Sequence, residues 1–313
     1  MKKIKVAIIA GGYSAEREVS LKSGWAVYNA LNREKYDPEI WDIGKDLDLI
    51  FRKRDNIDIA FPLLHGRLGE DGCIQGFLKI LDIPFVGSDV LASAMAMNKK
   101  ISKEIFKARG LCVPRDVLIS KNREFSLSGI MLELGFPVVV KPVAEGSSFG
   151  ISICHNEEEL RKGIDNAFEY DDELLLEEYI KGREVTAPVI GNDELEVLPI
   201  VEIVPKPRYQ FFDFEAKYTP GATDEICPAD LPASLEEVVR RCARVAFRAL
   251  GCKTWARVDM ILNNNKAYIL EVNTIPGMTE NSLFPLSARK AGIDFSGLLD
   301  RLISISLKAY VHS

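Results

Sequence analysis

The sequence predicts an open parallel α/β unit followed by an α+β unit with mostly antiparallel sheets, and three observations carry that prediction. Short apolar runs alternate with helical patterns through the first third, which calls for parallel strands covered on both faces. From about Asn98 the order changes to a helix and then to strand runs separated by polar or glycine turns, which reads as antiparallel. Near the C-terminal end, WARVDMIL, NNNK and AYILEVN give the signal of a hairpin.

The elements follow in order. KVAIIA is too short for a signal peptide and meets Gly11 and Gly12, so it reads as a first strand. A helix near Ala15 to Leu31, the runs EIWDI and IDIAFPLL, a helix near Ile74 to Leu81 and the run PFVG complete the first unit. KKISKEIFKARG is a helix closed by Gly110, followed by FPVVVKP, a small flexible loop and GISIC. In NEEELRKGIDNAF, Asn156 caps a helix with Glu159 three residues on, and Leu160, Ile164 and Phe168 share a face. ELLLEEYI, EVTAPVIG and EVLPIVEIV then read as an antiparallel meander. The proline-rich stretch from 205 to 232 is long for a connection and reads as a lid. Ser234 and Glu237 form a capping box for the next helix, with Val238, Cys242, Val245 and Ala249 inward and Gly251 as its stop.

Composition narrows the function. Hydrophobic residues make up 47% and charged residues 27% of the 313, as in ordinary globular domains. The net charge of -6 argues against a nucleic-acid partner, and no stretch approaches the ~18 apolar residues of a membrane span. Six cysteines spread singly, without a C-x-x-C pair, suit reduced thiols in a cytoplasmic protein.

Chemistry concentrates in the hairpin. Alternation puts Ala256, Val258, Met260 and Leu262 on one face and Arg257 and Asp259 on the other, and Glu271 and Asn273 share a face in the same way. Bringing Asp259, Glu271 and Asn273 together requires an odd-length loop or a bulge, and would yield hard oxygen donors of the kind Mg²⁺ prefers. KPVAEGSSFG resembles a phosphate loop, but its lysine precedes the glycine, opposite to the Walker order, and Gly146 is its point of backbone freedom. KVAIIAGG hints at a nicotinamide fold yet lacks the third glycine.

Taken with LLEEYIKGREVT, GGYSAEREVSL, PLLHGRLGEDG, FDFEAKYTPGAT and EVNTIPGMTENSLFP, these motifs resemble the ATP-grasp superfamily, and within it the D-alanine–D-alanine ligases, from about Val6 to Leu286. The resemblance implies a domain at 1–96, a central ATP-grasp lobe at 97–183 and a C-terminal lobe at 184–313 carrying the lid. It implies ATP and two Mg²⁺ or Mn²⁺ ions, held by Asp259, Glu271 and Asn273, as well as two molecules of D-alanine and a homodimer. Lys99 and Lys141 match phosphate-contacting lysines. Glu177, Glu178, Tyr179 and Ile180 match the segment whose backbone reads adenine, and Glu184 matches the ribose acceptor. Glu16, Ser147 and Tyr218 match a network at the first D-alanine, with His65 also in contact. Arg257 and the Gly277 N–H match an oxyanion hole, and Ser282, Leu283 and Lys217 match the second substrate's carboxylate site. The Lys217–Tyr218 lid pattern matches formers of dipeptides rather than depsipeptides. An ATP-grasp ligase with a D-lactate, D-serine or L-amino-acid acceptor is the alternative.

Overall fold

The computed structural model describes residues 2–146, 149–206 and 221–311, so Ser147, Lys217 and Tyr218 lie outside the described residues. Three sheets order the chain. The first has strands β1 (Ile4–Ala10), β2 (Tyr36–Asp42) and β3 (Ile59–Pro62), parallel in the order β2-β1-β3. PFVG supplies only one parallel bridge, Ala60 to Phe85, rather than a strand, because Pro84 has no N–H to extend the ladder. Helices α1 (Arg17–Ala30), α2 (Ile43–Lys53), α3 (Cys73–Ile80) and α4 (Val90–Met97) alternate with or follow these strands.

The second sheet is antiparallel, with β4 (Asp116–Ser120), β5 (Val138–Pro142), β6 (Ser152–Cys154) and β7 (Glu173–Glu178) in the order β4-β7-β5-β6. Helices α5 (Lys99–Ala108), α6 (Leu127–Leu134) and α7 (Glu157–Ala167) accompany it. Asn156 caps α7 as expected, its Oδ1 accepting the Glu159 N–H at 2.9 Å, while the Glu159 carboxylate reaches back to the His155 N–H at 2.8 Å. Gly110, with φ of 72°, stops the turn after α5.

The third sheet runs β11-β10-β8-β12-β13, with β9 also on β8. Its strands are β8 (Arg183–Gly191), β9 (Leu195–Val197), β10 (Val201–Pro205), β11 (Thr223–Ile226), β12 (Trp255–Asn263) and β13 (Lys266–Asn273). This corrects the meander: ELLLEEYI belongs to the second sheet, and EVLPIVEIV forms one edge of β8 in two pieces. Pro199 lies in the gap between those pieces, where a missing N–H breaks a ladder.

Helix α8 (Ala233–Ala249) also departs from expectation. Pro232 precedes it without a side-chain cap, so Ser234 and Glu237 make no capping box and sit inside the first turns. The buried stripe is Val239, Cys242, Ala243, Ala246 and Phe247, while Val245 and Ala249 are half-buried. Small Ala243 and Ala246 let the helix lie close on the sheet, a property a hydrophobic pattern ranks below valine. Gly251 does end it, at φ of 70°.

Helices α9 (Leu283–Lys290) and α10 (Phe295–Val311) return to the first sheet. Phe284, Leu298, Leu299 and Leu302 share a core with Val6, Ile8 and Phe61, and Trp255 joins that core edge-on to Phe284 at 5.1 Å and Phe61 at 6.2 Å. The first and third sheets are thus clamped through one apolar body, which places their loops around a common cavity.

Candidate active site

The hairpin explains how donors gather. Asn264 and Asn265 take positive φ of 46° and 61°, the two-residue turn that suits strand twist. The register pairs Asn263 with Lys266 and Met260 with Ile269, then shifts at a bulge so that Asp259 opposes Glu271 and Arg257 opposes Asn273. Of the two routes the sequence left open, the bulge is the one taken. Asp259 is buried; its Oδ1 accepts from Thr186 Oγ1 at 2.5 Å and from Arg257 Nε at 2.9 Å, and its Oδ2 accepts from Arg257 Nη2 at 2.8 Å. Asn273 Oδ1 accepts the Ile275 N–H at 3.0 Å, which shapes the loop that follows.

A cavity of about 510 Å³ opens in front of this hairpin. It brings together Glu16, His65, Lys99, Arg257, Glu271, Asn273, Gly277, Ser282 and Leu283, nine expected site residues from separate segments. Glu16 stands at the N-terminus of α1, and Ser14 Oγ donates to the His65 carbonyl at 2.8 Å, fixing the two loops to each other. Burial pulls His65 below the usual imidazole range; nearby Glu16 opposes this and Arg257 adds to it. One ring nitrogen hydrogen-bonds the Ile275 backbone, while Nε2 is buried without a partner among the described residues. A neutral His65 therefore offers Nε2 as an acceptor to a ligand N–H.

Several lining residues escaped the sequence reading. Glu70 accepts the Gly66 N–H at 2.7 Å, and burial, reinforced by Glu16 and then Glu271, pushes its carboxyl up to about 8. Burial also raises Glu145 and Glu225. Among the described residues the wall carries Glu16, Glu18, Glu70, Glu145, Glu225 and Glu271 against Lys22, Lys99 and Arg257. That surplus of carboxylate favours ammonium groups and metal cations as occupants.

Lys99 lines the cavity, while Asp259, Lys141, Glu177, Glu178, Tyr179, Ile180 and Glu184 lie outside its wall. Lys99 Nζ donates to the Glu145 carbonyl at 2.5 Å, whereas Lys141 is buried with its Nζ 2.5 Å from Glu177 Oε2. Glu178 binds Arg115 through its carboxylate at 2.7 Å. The N–H groups of Glu178 and Tyr179 donate to the carbonyls of Arg115 and Pro137, so these two donors are taken by the protein. Tyr179 and Ile180 lie between β7 and β8, where the chain crosses from the second sheet to the third. Glu184 opposes Ile203 and Ile261 within that third sheet. Backbone freedom in the loop after β5 resides at Gly150, with φ of 69°, rather than at Gly146. A Cβ at Gly277 would come 3.1 Å from Ser282 Oγ, a tight contact that the serine side chain would have to ease. Ser282 precedes α9, whose first N–H groups can meet an anion.

Two opposed carboxylates and an amide oxygen on one rigid hairpin fit a hard divalent cation, and the charge surplus supports that fit. With a parallel unit and two antiparallel sheets around it, this arrangement defines an ATP-grasp ligase. Models of the D-ala D-ala ligase N-terminus match residues 5–55 and 50–88, and the model of the D-ala D-ala ligase C-terminus matches 105–304. The chain belongs to the D-alanine–D-alanine ligase family. It is 49% identical to the D-alanine--D-alanine ligase of Syntrophobacter fumaroxidans over 98% of both chains. The ligase of Bacillus anthracis complexed with ATP superposes with a TM-score of 0.88 at 36% identity, covering 99% of each chain. The VanG D-Ala:D-Ser ligase of Enterococcus faecalis does so with 0.84 at 34% identity, covering 97% of this chain and 100% of that one. Within this group, backbone shape alone does not separate acceptors.

Proposed function

We infer that the chain ligates two D-alanines to D-alanyl-D-alanine with ATP, through an acyl phosphate, for bacterial peptidoglycan synthesis. The observation that carries this reading is the convergence of Glu16, His65, Lys99, Arg257, Glu271 and Ser282 on one cavity of about 510 Å³. Glu16 accepts the first D-alanine's ammonium in a charge-assisted hydrogen bond, with His65 Nε2 beside it. The substrate carboxylate then attacks the γ-phosphorus of ATP, releasing ADP and converting a poor acyl donor into a good one. Lys99 and Lys141 orient the phosphates. Asp259, Glu271 and Asn273 would hold Mg²⁺ or Mn²⁺, two ions in this reading, which when bound would supply charge neutralisation at the transferring phosphoryl group. Arg257 and the Gly277 N–H stabilise the oxyanion as the second amine attacks, and phosphate leaves. Ser282, Leu283 and Lys217 receive the second carboxylate, and Tyr218 with Ser147 closes the network around Glu16.

The same reading divides the chain at 1–96, 97–183 and 184–313, treats 205–232 as the lid and makes the protein a homodimer. A competition assay with ATP and D-alanine, D-serine and D-lactate tests the chemistry. The expected product is D-alanyl-D-alanine, with one phosphate released per dipeptide. Turnover only with another acceptor, or none with D-alanine alone, overturns it. Tyr218→Phe is expected to raise the share of D-lactate product, and an unchanged product ratio removes Tyr218 from acceptor choice.

A further inference from the structure

Lys103 has no part in the ligation chemistry above, yet its side chain is fully buried. Helix α5 carries it onto the face of the second sheet that presents Asp116 from β4, Glu177 from β7 and Lys141 from β5. Lys103 Nζ lies 2.5 Å from Glu177 Oε1 and 3.5 Å from Asp116 Oδ1. The other oxygen of Glu177, Oε2, lies 2.5 Å from Lys141 Nζ. Each carboxylate oxygen of Glu177 therefore has its own lysine. Asp116 is held separately by Lys100 at 2.8 Å and Lys107 at 2.7 Å, which outweigh its burial and bring it to about 2. Burial pulls Lys103 below the ordinary lysine range, and Glu177 opposes that pull.

Lys141 is the member of this group that a ligand can recruit. It stands near the end of β5, where the chain enters the loop whose Glu145 and Gly146 line the cavity. For Lys141 to turn to a phosphate it must give up Glu177, and a buried carboxylate that loses its last cation is the costly case for an ion pair. We propose that Lys103 is a positioning residue for the nucleotide: it is the standing counter-ion of Glu177, and so frees Lys141 to pair with a nucleotide phosphate. This rests on the reading of Lys141 as a phosphate contact. Lys103 itself touches neither substrate nor metal. Without it, Glu177 keeps Lys141 as its sole buried partner and competes with the phosphates for that charge.

The test uses the full chain and calorimetric titration with MgATP in the absence of D-alanine, together with steady-state kinetics. Lys103→Met is expected to weaken ATP binding and raise the KM for ATP by about tenfold, with the KM for D-alanine changed less than about twofold. Lys103→Arg, which keeps the charge, should recover much of the ATP affinity. Glu177→Gln removes the competitor, so the Lys103→Met/Glu177→Gln double variant should bind ATP several-fold more tightly than Lys103→Met alone. Equal ATP affinity in Lys103→Met and wild type, with only the melting temperature lowered, overturns the proposal. So does a double variant no better than the single one. If Lys103→Met does not fold, Lys103→Gln decides: a KM for ATP raised several-fold with the KM for D-alanine unchanged supports the proposal, and an unchanged KM for ATP refutes it. Lys141→Met separates the underlying reading, since unchanged ATP affinity in that variant removes the phosphate contact itself.

Discussion

Asp259 and Glu177 are both buried carboxylates held by cations, but their partners come from different distances along the chain. Asp259 is bound by Arg257, two residues away on the same face of the same strand, with Thr186 as a neutral third partner. Glu177 is bound by Lys103 on a helix and Lys141 on a neighbouring strand. A local pair can open without moving any element, because only two side chains change rotamer. A pair spread over three elements also braces them, and opening one arm leaves the other in place. The first arrangement suits a carboxylate that exchanges its cation for a metal, and the second suits one that must stay neutralised throughout.

The exchanging arrangement depends most on Glu271. Glu271→Gln takes one charge from the exchanging site and is expected to lower phosphate release by two or more orders of magnitude, about the scale of a lost transition-state charge contact. Its melting temperature should stay close to wild type. Near-normal turnover with normal Mg²⁺ dependence would sink the metal assignment. Arg257→Met comes next: kcat should fall about 10²-fold or more with the lost oxyanion donor. At the same time half-saturation by Mg²⁺ should move to lower concentration, since Asp259 has lost its competing cation. Unchanged Mg²⁺ dependence would mean that Arg257 and metal do not share Asp259.

Glu70 extends the comparison to a carboxyl with no ion pair among the described residues. Its folded-state value, about 8, lies above the ordinary 4.5, so the folded chain keeps a proton that the unfolded chain releases. Folding stability from this group is therefore full below pH 4.5 and declines as pH rises toward 8. In metal-free protein, Glu70→Gln should gain melting temperature relative to wild type across that window and hold a constant difference beyond it. A difference independent of pH throughout would refute the shift. The smallest effect belongs to Thr186→Val, which removes a hydrogen bond to a buried charged group and should cost about 1.5–3 kcal/mol in urea unfolding. A loss below about 0.5 kcal/mol would show that Arg257 alone suffices for Asp259.

Sequence alone reached the alternation of the hairpin, the cap at Asn156 and the motifs that meet in the cavity, because each is written in residues close along the chain. Lys103 shows what it could not reach. Hydropathy in general ranks isoleucine inward and lysine outward, yet on α5 Ile101 is 47% exposed while Lys103 is fully buried. The reason is a long-range one: Glu177 arrives from 74 residues away to neutralise it. A usable signal existed in the spacing of Lys99 and Lys103, one turn apart on the same face, since Lys99 already belonged to a binding motif. Glu70 was hidden differently, inside a recognised motif whose histidine attracted attention first. β7 left the expected meander because strand pattern specifies that a segment is extended, and says nothing about which of two sheets it joins.

The bulge between Asp259 and Met260 makes the hairpin a counter. In a ladder without the bulge, the pairing that starts at Asn263 and Lys266 would set Leu270 opposite Asp259 and Glu271 opposite Val258, pointing into the core. Deleting Leu270 would leave Glu271 opposite Asp259 in an unbulged ladder, whereas deleting two residues between the turn and Glu271 would set it opposite Met260 and turn the carboxylate into the core. The hairpin can therefore lose one residue on this strand and keep its carboxylates facing each other, but it cannot lose two, a constraint on deletions that no individual side chain reveals.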